Sequence, residues 1–468
     1  MGGSLHSCSL HRVYPHRKNI GRGSVFNYPL MENSGESDKF RMLRMLRTSM
    51  VAVAMPWLLV CAAGNDEEGA PASARKKSDG QLMLDRSPSE LMPGWLRVGG
   101  QVRGRFEASS GSSLVNTAGD AYYLSRIRVD LAFKPAPWLS FAVQAQDGRV
   151  GGYNTASASN TIYNPMDFRQ GYAELNFEGR ATVKLRAGRQ ELAFGGERLI
   201  GPADWGMSRT FDAVDLSLSM GRAKLDLLAG SAVLVDPTRL DRHKPGEHFY
   251  GAYGSVKSLL PGLAVEPYLL FKQNLLIKSE NSVTGDAIVA SPGLRVSGKL
   301  GGRFDYAGEA IVQRGSYSAD SVSARAATVL AGWTVSSASW KPRVSAEYNY
   351  ASGDPATRDF NRNTFDQFYP SNHGYYGMID QFGWKNMKNF RAGFDLVAAK
   401  KLKLRGDYND FRLATVQDSL YNSSGTSAVL NRKASSDHID VCGEFLKGRR
   451  DRPGGLSPTE AYLRSLIW

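Results

Sequence analysis

Charged side chains recur at every second position along many segments of this 468-residue chain. Between residues 124 and 133, Arg126, Arg128 and Asp130 alternate with apolar residues. Side chains two positions apart share one face of a β-strand, so such a segment has one charged and one apolar surface. A guanidinium offers a planar fork that matches a carboxylate, and rings of Arg and Lys select anions in a pore. The chemistry indicated is reversible binding of anions along a charged face.

The residues that we predict to line this charged face lie opposite apolar neighbours in the alternating segments. They are Arg97, Arg103, Arg105, Arg126, Arg128, Asp130, Glu174, Lys184, Arg186, Arg303, Arg343, Glu347, Lys403 and Arg405. A conduit must hold its cargo weakly at many points, so carboxylates that temper each cation fit this role. The alternative is that the ions pair across strands and only stiffen the protein.

The elements that position these residues are short strands. Glycine accounts for 49 residues, and Tyr and Phe for 20 each, which favours an all-β protein with many turns. Charged residues are 22% and hydrophobic residues 42% of the chain, so it is not intrinsically disordered. Three cysteines exclude a disulfide scaffold. A mean hydropathy of −0.33 excludes a helical membrane protein but not a membrane β-barrel, in which alternate residues face lipid.

The connections between strands alternate in length, which a soluble sandwich has no reason to maintain. The long ones are predicted at 108–120, 148–169, 191–209, 236–247, 273–291, 314–321 and 352–387. Short periplasmic turns and long extracellular loops are typical of outer-membrane barrels. The fold predicted is a transmembrane antiparallel β-barrel. Seventeen candidate strands can be counted, and because an even number is needed we predict 16 to 18 strands, with 18 favoured.

The N-terminal part of the chain has the features of an export signal. Arg44 and Arg47 precede a mostly apolar run from Met50 to Ala63, as in a secretory signal peptide. A bilayer-spanning helix needs about 20 apolar residues. The predicted organisation is an N-terminal extension at 1–41, a signal peptide and cleavage region at 42–74, a periplasmic segment at 75–94 and the barrel at 95–468.

Signatures of enzymes are not found in the sequence. It contains no Gly-x-Ser-x-Gly, His-Glu-x-x-His or Cys-x-x-Cys motif. His243 and His248 fall in or beside a predicted loop and fit solvated residues better than metal ligands. Both signs of charge alternate along the strands, which argues against the continuous basic stripe of a nucleic-acid-binding protein. We therefore predict no enzyme, no catalytic residue, no cofactor, no metal site and no nucleic-acid partner.

A family resemblance is carried by residues 185–219, which read LRAGRQELAFGGERLIGPADWGMSRTFDAVDLSLS. A second block runs from Tyr348 to Asn386 and includes Gly383-Trp384. Both blocks resemble the alginate export family of outer-membrane porins. The charged and aromatic residues that mark the first block, here called the motif residues, are Arg189, Glu191, Glu197, Arg198, Asp204, Trp205, Arg209 and Asp212.

The resemblance implies a monomeric, eighteen-stranded barrel in the bacterial outer membrane, with an electropositive lumen that passes an acidic polysaccharide. The partners expected are outer-membrane lipids, anionic polysaccharide or small anions, and periplasmic export proteins. Residues 430–446 depart from the family pattern, since a hairpin is shortened there. The function expected is passage of alginate-like polymers or other anions; the alternatives are a less selective anion porin and an adhesin or receptor barrel.

Overall fold

The computed structural model describes residues 92–109, 120–152, 162–204, 206–258, 262–335, 339–356, 358–377, 381–399, 402–429, 438–439, 445–450 and 459–464. The predicted extension at 1–41, the signal region at 42–74 and most of the periplasmic segment at 75–94 lie outside the described residues. Among the helices of the described part, none is long and apolar enough to cross a bilayer.

The described residues form strands almost throughout. The first half contains β1 (Leu96–Ser109), β2 (Asp120–Ala136), β3 (Leu139–Gly151), β4 (Asn164–Phe177), β5 (Thr182–Gln190), β6 (Phe211–Met220), β7 (Ala223–Leu234), β8 (Arg242–His243), β9 (Glu247–Lys257), β10 (Leu263–Lys278) and β11 (Thr284–Leu300). The second half contains β12 (Phe304–Tyr317), β13 (Asp320–Thr334), β14 (Arg343–Ala351), β15 (Asn361–Arg362), β16 (Met387–Ala399), β17 (Leu402–Leu413), β18 (Leu420–Tyr421), β19 (Ser427–Val429), β20 (His438–Ile439), β21 (Phe445–Arg450) and β22 (Thr459–Arg464). A single-turn 3-10 helix spans Asn372–Gly374.

The long strands pair antiparallel with their neighbours in chain order, so the sheet is a continuous meander from β1 to β22. β18 and β19 form a separate two-stranded sheet. β20 and β21 both pair with β17 and so act as one interrupted strand. The prediction of an all-β antiparallel fold is confirmed. Within the described ranges, seventeen strands have six or more residues, inside the predicted 16 to 18.

Burial alternates along the strands in the opposite sense to that of a soluble protein. On β2, the guanidinium groups of Arg126 and Arg128 are buried whereas Ile127 and Leu131 are exposed. Phe106 on β1 is 72% exposed. Apolar side chains on the outer face of a sheet are stable where that face meets hydrocarbon. We call the polar face of the sheet the inner face.

Two of the predicted long loops are wrong. β10 extends to Lys278 and β11 begins at Thr284, which leaves a short connection in place of the loop predicted at 273–291. β12 extends to Tyr317 and β13 begins at Asp320, so the loop predicted at 314–321 is a tight turn. In both cases polar and small residues continue the strand pairing, because backbone hydrogen bonds satisfy a strand whatever its side chains.

Two of the remaining long connections fold onto the inner face. Loop A is residues 191–210, between β5 and β6, and loop B is residues 352–386, between β14 and β16. They meet in a parallel bridge between Ile200 and Tyr369. The amide of Tyr369 donates to the carbonyl oxygen of Leu199 at 2.7 Å, and the amide of Gly201 donates to that of Tyr369 at 2.9 Å. Apolar residues of both loops form one core with inward residues of the strands.

Candidate functional site

Three arginines on the inner face of β2 and β4 form a group that we call the arginine cluster: Arg126, Arg128 and Arg169. Arg126 and Arg128 both bind Asp204 of loop A, with nitrogen–oxygen distances of 2.6 and 2.9 Å. Register places Arg126 and Arg128 two residues apart on one face of β2, so both reach the same carboxylate. The side chains of Arg126 and Asp204 are 4% and 41% exposed.

Arg169 completes the arginine cluster from β4. It binds the carboxylate of Glu191, at the start of loop A, and donates to the hydroxyl of Ser208 at 2.8 Å. Burial alone would raise the pKa of Asp204, but Arg128 and Arg126 lower it below its usual range. The carboxylate of Asp204 is therefore ionised, and loop A presents negative charge to the arginine cluster.

The guanidinium groups of the cluster are also fixed by side chains on neighbouring strands of the sheet. Arg128 Nε donates to Oε1 of Gln146 on β3 at 2.7 Å. Arg126 Nη2 donates to Oε1 of Gln101 on β1 at 2.9 Å. These bonds fix the orientation of both guanidinium groups. The remaining N–H groups of each guanidinium are then aimed at loop A.

Loop A is attached to the opposite part of the sheet through Arg198. Its guanidinium pairs with the carboxylate of Glu347 on β14 and lies 3.8 Å from the ring centroid of Tyr375. It also donates to the hydroxyl of Tyr376 at 2.9 Å. Glu347 is 1% exposed and accepts a second ion pair from Arg391 on β16 at 2.7 Å. A fully buried carboxylate with two guanidinium partners is a structural joint rather than an open binding site.

Other motif residues fold the loops rather than face open water. Arg189 Nε lies 2.8 Å from Asp212 Oδ1, which joins the ends of β5 and β6. Arg209 Nη1 donates to the carbonyl oxygens of Gly201 and Pro370, both at 3.1 Å. Burial lowers the pKa of Arg209 to about 10.

The remaining two motif residues are placed differently. Glu197 has a positive φ of 57°, and its carbonyl oxygen accepts the amide of Ser371 at 2.9 Å. The backbone of Glu197, like the side chain of Arg209, therefore ties loop A to loop B. Trp205 lies outside the described residues.

Nearer the short turns, the inner face carries ion pairs that are more exposed. Arg186 Nε donates to Glu174 at 2.8 Å, and Lys184 lies 3.6 Å from the same carboxylate. Further along the inner face, Arg343 on β14 and Arg405 on β17 each lie within 3 Å of a carboxylate. The pairs are Arg343 with Asp305 at 2.6 Å, Arg343 with Asp395 at 2.9 Å and Arg405 with Asp407 at 2.7 Å. These side chains form a series of charged sites that water reaches.

The structure places the other predicted residues as follows. Arg103 and Arg105 lie on the inner face of β1, where Arg105 Nε is 2.6 Å from Glu107. Asp130 accepts a hydrogen bond from Gln144 on β3. Arg97 is exposed near the start of β1.

Arg303 and Lys403 are the last two residues predicted for the charged face. Arg303 is exposed in the turn before β12, so its predicted place on a strand face is wrong; Gly301 and Gly302, both with positive φ, turn the chain there and delay the strand. Lys403 lies on β17 opposite Val397, with its side chain outside the described part.

Sequence reasoning missed Arg169 and the pair formed by Lys272 and Asp366. Arg169 fell at the end of a predicted loop, because β4 begins at Asn164 and the register shifts along its pairing with β3. Lys272 Nζ, on β10, lies 3.0 Å from Asp366 of loop B. Asp366 belongs to the second family block, which was the available signal. Within the described ranges, no group of three His, Cys, Asp or Glu side chains is arranged to hold a metal ion.

Comparison with solved structures returns bacterial proteins at low sequence identity. Pseudomonas aeruginosa OccK3 (OpdO) is 11% identical, with a TM-score of 0.49 over 77% of this chain and 86% of that one. Pseudomonas aeruginosa OccK8 (OprE) is 10% identical, with a TM-score of 0.49 over 79% and 94%. The Salmonella typhi OmpF complex with daunomycin is 13% identical, with a TM-score of 0.41 over 70% and 93%.

The family comparison is more direct. No curated protein matches the chain by sequence. The family model described as Alginate export matches residues 94–446. That span begins just before β1 and includes both loops and every strand from β1 to β20. Because the match covers well over half of the sequence, the chain belongs to the alginate export family and is a channel protein of the bacterial outer membrane.

Proposed function

We propose that this channel passes anionic polysaccharide of the alginate type, or smaller anions, along the charged inner face of the sheet. The observation that carries the proposal is the charge of the wall around the arginine cluster. Within the described residues, the inner face of residues 103–107 of β1, 126–130 of β2 and 167–169 of β4 carries five arginines and three carboxylates. The arginines are Arg103, Arg105, Arg126, Arg128 and Arg169, and the carboxylates are Glu107, Asp130 and Asp167.

The excess positive charge of this wall is balanced by loop A, which is not part of the sheet. Asp204 and Glu191 supply the two additional carboxylates. A wall with fixed guanidinium groups and a separate neutralising loop can present positive charge to a passing anion. Prearranged forks bind carboxylates with little loss of side-chain entropy, which supports recognition of uronate groups.

The more exposed ion pairs nearer the short turns support a path with many weak sites. Lys184, Arg186 and Arg405 each have a carboxylate within 4 Å and a side chain that water reaches. A cation already paired with a carboxylate attracts a cargo carboxylate only moderately. Conduction requires such weak binding, since an anion that binds tightly at one site leaves slowly.

A second candidate function is passage of small anions alone. The packing of loops A and B on the inner face favours it, because Ile200, Tyr369 and Trp384 are all almost completely buried where the loops meet. A small anion needs less room than a polymer to pass such loops. The two candidates differ in whether polymer enters the channel.

Ion currents through single channels in a planar bilayer test the proposal. We expect an anion-selective current in the unmodified protein and block by oligomers of mannuronate. Replacing Arg126→Glu together with Arg128→Glu reverses two charges of the cluster and should shift the reversal potential toward cation selectivity.

The matched control reverses two arginines on the outer face, Arg149→Glu with Arg412→Glu. Their side chains are 54% and 48% exposed, and each pairs with an aspartate two residues away on its own strand. The control should leave the reversal potential unchanged. Equal reversal potentials for all three proteins would contradict an anion path along the arginine cluster. Anion-selective current without block by the oligomers would favour the small-anion alternative.

A further inference from the structure

Each guanidinium of the arginine cluster has a carboxylate partner, and both carboxylates come from loop A. Asp204 Oδ1 lies 2.6 Å from Arg126 Nη1 and 2.9 Å from Arg128 Nη2. Glu191 pairs with Arg169. Loop A thus presents two carboxylates to the three guanidinium groups of the cluster.

We infer that the arginine cluster is a binding site for two neighbouring carboxylates, and that Asp204 and Glu191 occupy it as internal competitors which an anionic ligand displaces. This inference rests on the proposed passage of anions. It adds a regulatory role for loop A: the carboxylates of Asp204 and Glu191 occupy the site in the same way as the carboxylates of a ligand and so keep it closed.

The distribution of exposure supports a host site with a replaceable occupant. The side chains of Arg128 and Arg169 are 7% and 4% exposed, whereas those of Asp204 and Glu191 are 41% and 35% exposed. In a purely structural buried ion pair, as between Arg198 and Glu347, both partners are enclosed. Here only the cations are enclosed, and the carboxylates lie on the accessible side. An incoming carboxylate can therefore approach the same N–H groups from the side where Asp204 lies.

The geometry at Asp204 is that of a bound ligand carboxylate. Its Oδ1 accepts from two arginines, and its Oδ2 lies 3.4 Å from Arg128 Nη1. A carboxylate shared by two guanidinium groups forms charge-assisted bonds, which are about twice as strong as neutral ones. Only a ligand that supplies comparable charge can replace it. A neutral sugar chain has no such group, so the competitor also acts as a filter for anions.

The backbone around Asp204 is consistent with a segment that is held in place by these contacts. Ala203 and Ser208 have φ values of 48° and 70°, a left-handed conformation that residues other than glycine adopt rarely. Arg126 Nη1 also donates to the carbonyl oxygen of Gly206 at 2.7 Å. When a ligand takes the cluster, Ala203 and Asp204 lose this anchor and their backbone can relax.

The variant that tests the inference is Asp204→Asn, which keeps the size of the side chain and removes its charge. The experiment measures the concentration of tetramannuronate that halves the single-channel current. If loop A leaves the cluster open about a tenth of the time, removing the competitor lowers this concentration about tenfold. Neutral maltotetraose should show no such change. Glu191→Gln provides a second, independent variant with the same expected direction should Asp204→Asn fold poorly.

The matched control is Asp147→Asn on β3. Asp147 is the residue opposite Ile127 in the pairing of β2 and β3, and it binds Arg149 at 2.8 Å on the outer face. The substitution Asp147→Asn removes the same charge at the same level of the sheet but on its outer face. The half-blocking concentration of tetramannuronate should therefore stay within twofold of that of the unmodified protein.

Each outcome decides the inference. A lower half-blocking concentration for Asp204→Asn and Glu191→Gln, but not for Asp147→Asn, supports it. If the unmodified channel is blocked by tetramannuronate and both loop A variants behave identically to it, the internal competitor is refuted while the anion path survives. If no protein in the series is blocked and the current is not anion-selective, the proposed function fails and the inference fails with it.

Discussion

The ion pair between Arg198 and Glu347 provides a sharp test of how loop A is held. We predict that Arg198→Met lowers the free energy of unfolding by about 3 kcal/mol. Breaking a buried ion pair by removing one partner costs about 3–5 kcal/mol, because the other charge remains buried. Arg391 stays at 2.7 Å from Glu347 and compensates part of that charge, so we expect the lower end of the range. Methionine retains most of the side chain's length.

The measurement is urea-induced unfolding of the protein in lipid vesicles, followed by tryptophan fluorescence. Trp384 of loop B is completely buried, and the guanidinium carbon of Arg198 lies 5.5 Å from its ring. Because other tryptophans of the chain also fluoresce, the signal of Trp384 is taken as the difference from a Trp384→Phe background, and this difference reports on the neighbourhood of the substitution. Accessibility of this tryptophan to iodide provides a second signal, which should rise in Arg198→Met if loop A detaches.

Arg405→Met is the matched control, because Arg405 also pairs with a carboxylate on the inner face but its side chain is 38% exposed. Exposed pairs contribute about 0–1 kcal/mol to stability. The free energy of unfolding of this variant should therefore lie within about 1 kcal/mol of that of the unmodified protein. The double variant Arg198→Met with Glu347→Gln should lose less than the sum of the two single losses, since contacting residues are coupled. Equal, small losses for Arg198→Met and Arg405→Met would refute the view that the buried pair anchors the loop.

Two further predictions concern the backbone and pH. Gly188→Ala should lower the free energy of unfolding by about 1–3 kcal/mol in urea unfolding, because φ is +126° and the new Cβ would meet the carbonyl oxygen of Gly171; Gly171→Ala, which meets nothing within 4 Å, should change it little. Burial and the nearby Glu280 raise the pKa of Asp354 in loop B from 3.8 to about 7. The folded protein then binds more protons than the unfolded chain between these values, so its stability falls as pH rises through this window. Asp354→Asn should flatten that dependence of the urea midpoint, and an unchanged slope would argue against the raised pKa.

The sequence predicted the strands and their two faces well, because period-two alternation depends only on near neighbours along the chain. Arg126 and Arg128 were placed on the inner face for this reason, and their burial agrees with it. The rule fails where the pairing is irregular. The register of β4 against β3 shifts beside Asp167, and Arg169 was therefore assigned to a loop. The turn at Gly301 and Gly302 misled in the same way for Arg303.

The partners of the charged residues could not be predicted from the sequence. Arg198 and Glu347 are 149 residues apart in the chain, and their contact depends on how loop A crosses the inner face. Asp204 meets Arg126 across 78 residues. The family blocks marked Arg198, Asp204 and Arg209 as important, but a motif carries no register between distant segments. Only the folded loops show which marked residues serve as joints and which lie against the wall.

The bridge between Ile200 and Tyr369 links loops A and B by main-chain hydrogen bonds on both sides, and Ala203 N donates to Ser371 Oγ at 2.9 Å beside it. Two segments joined in this way cannot swing on separate hinges without breaking several of these bonds at once. We therefore expect loops A and B to move as one unit, so that the channel opens cooperatively. The single-channel current should then step between a small number of discrete levels and should not increase gradually.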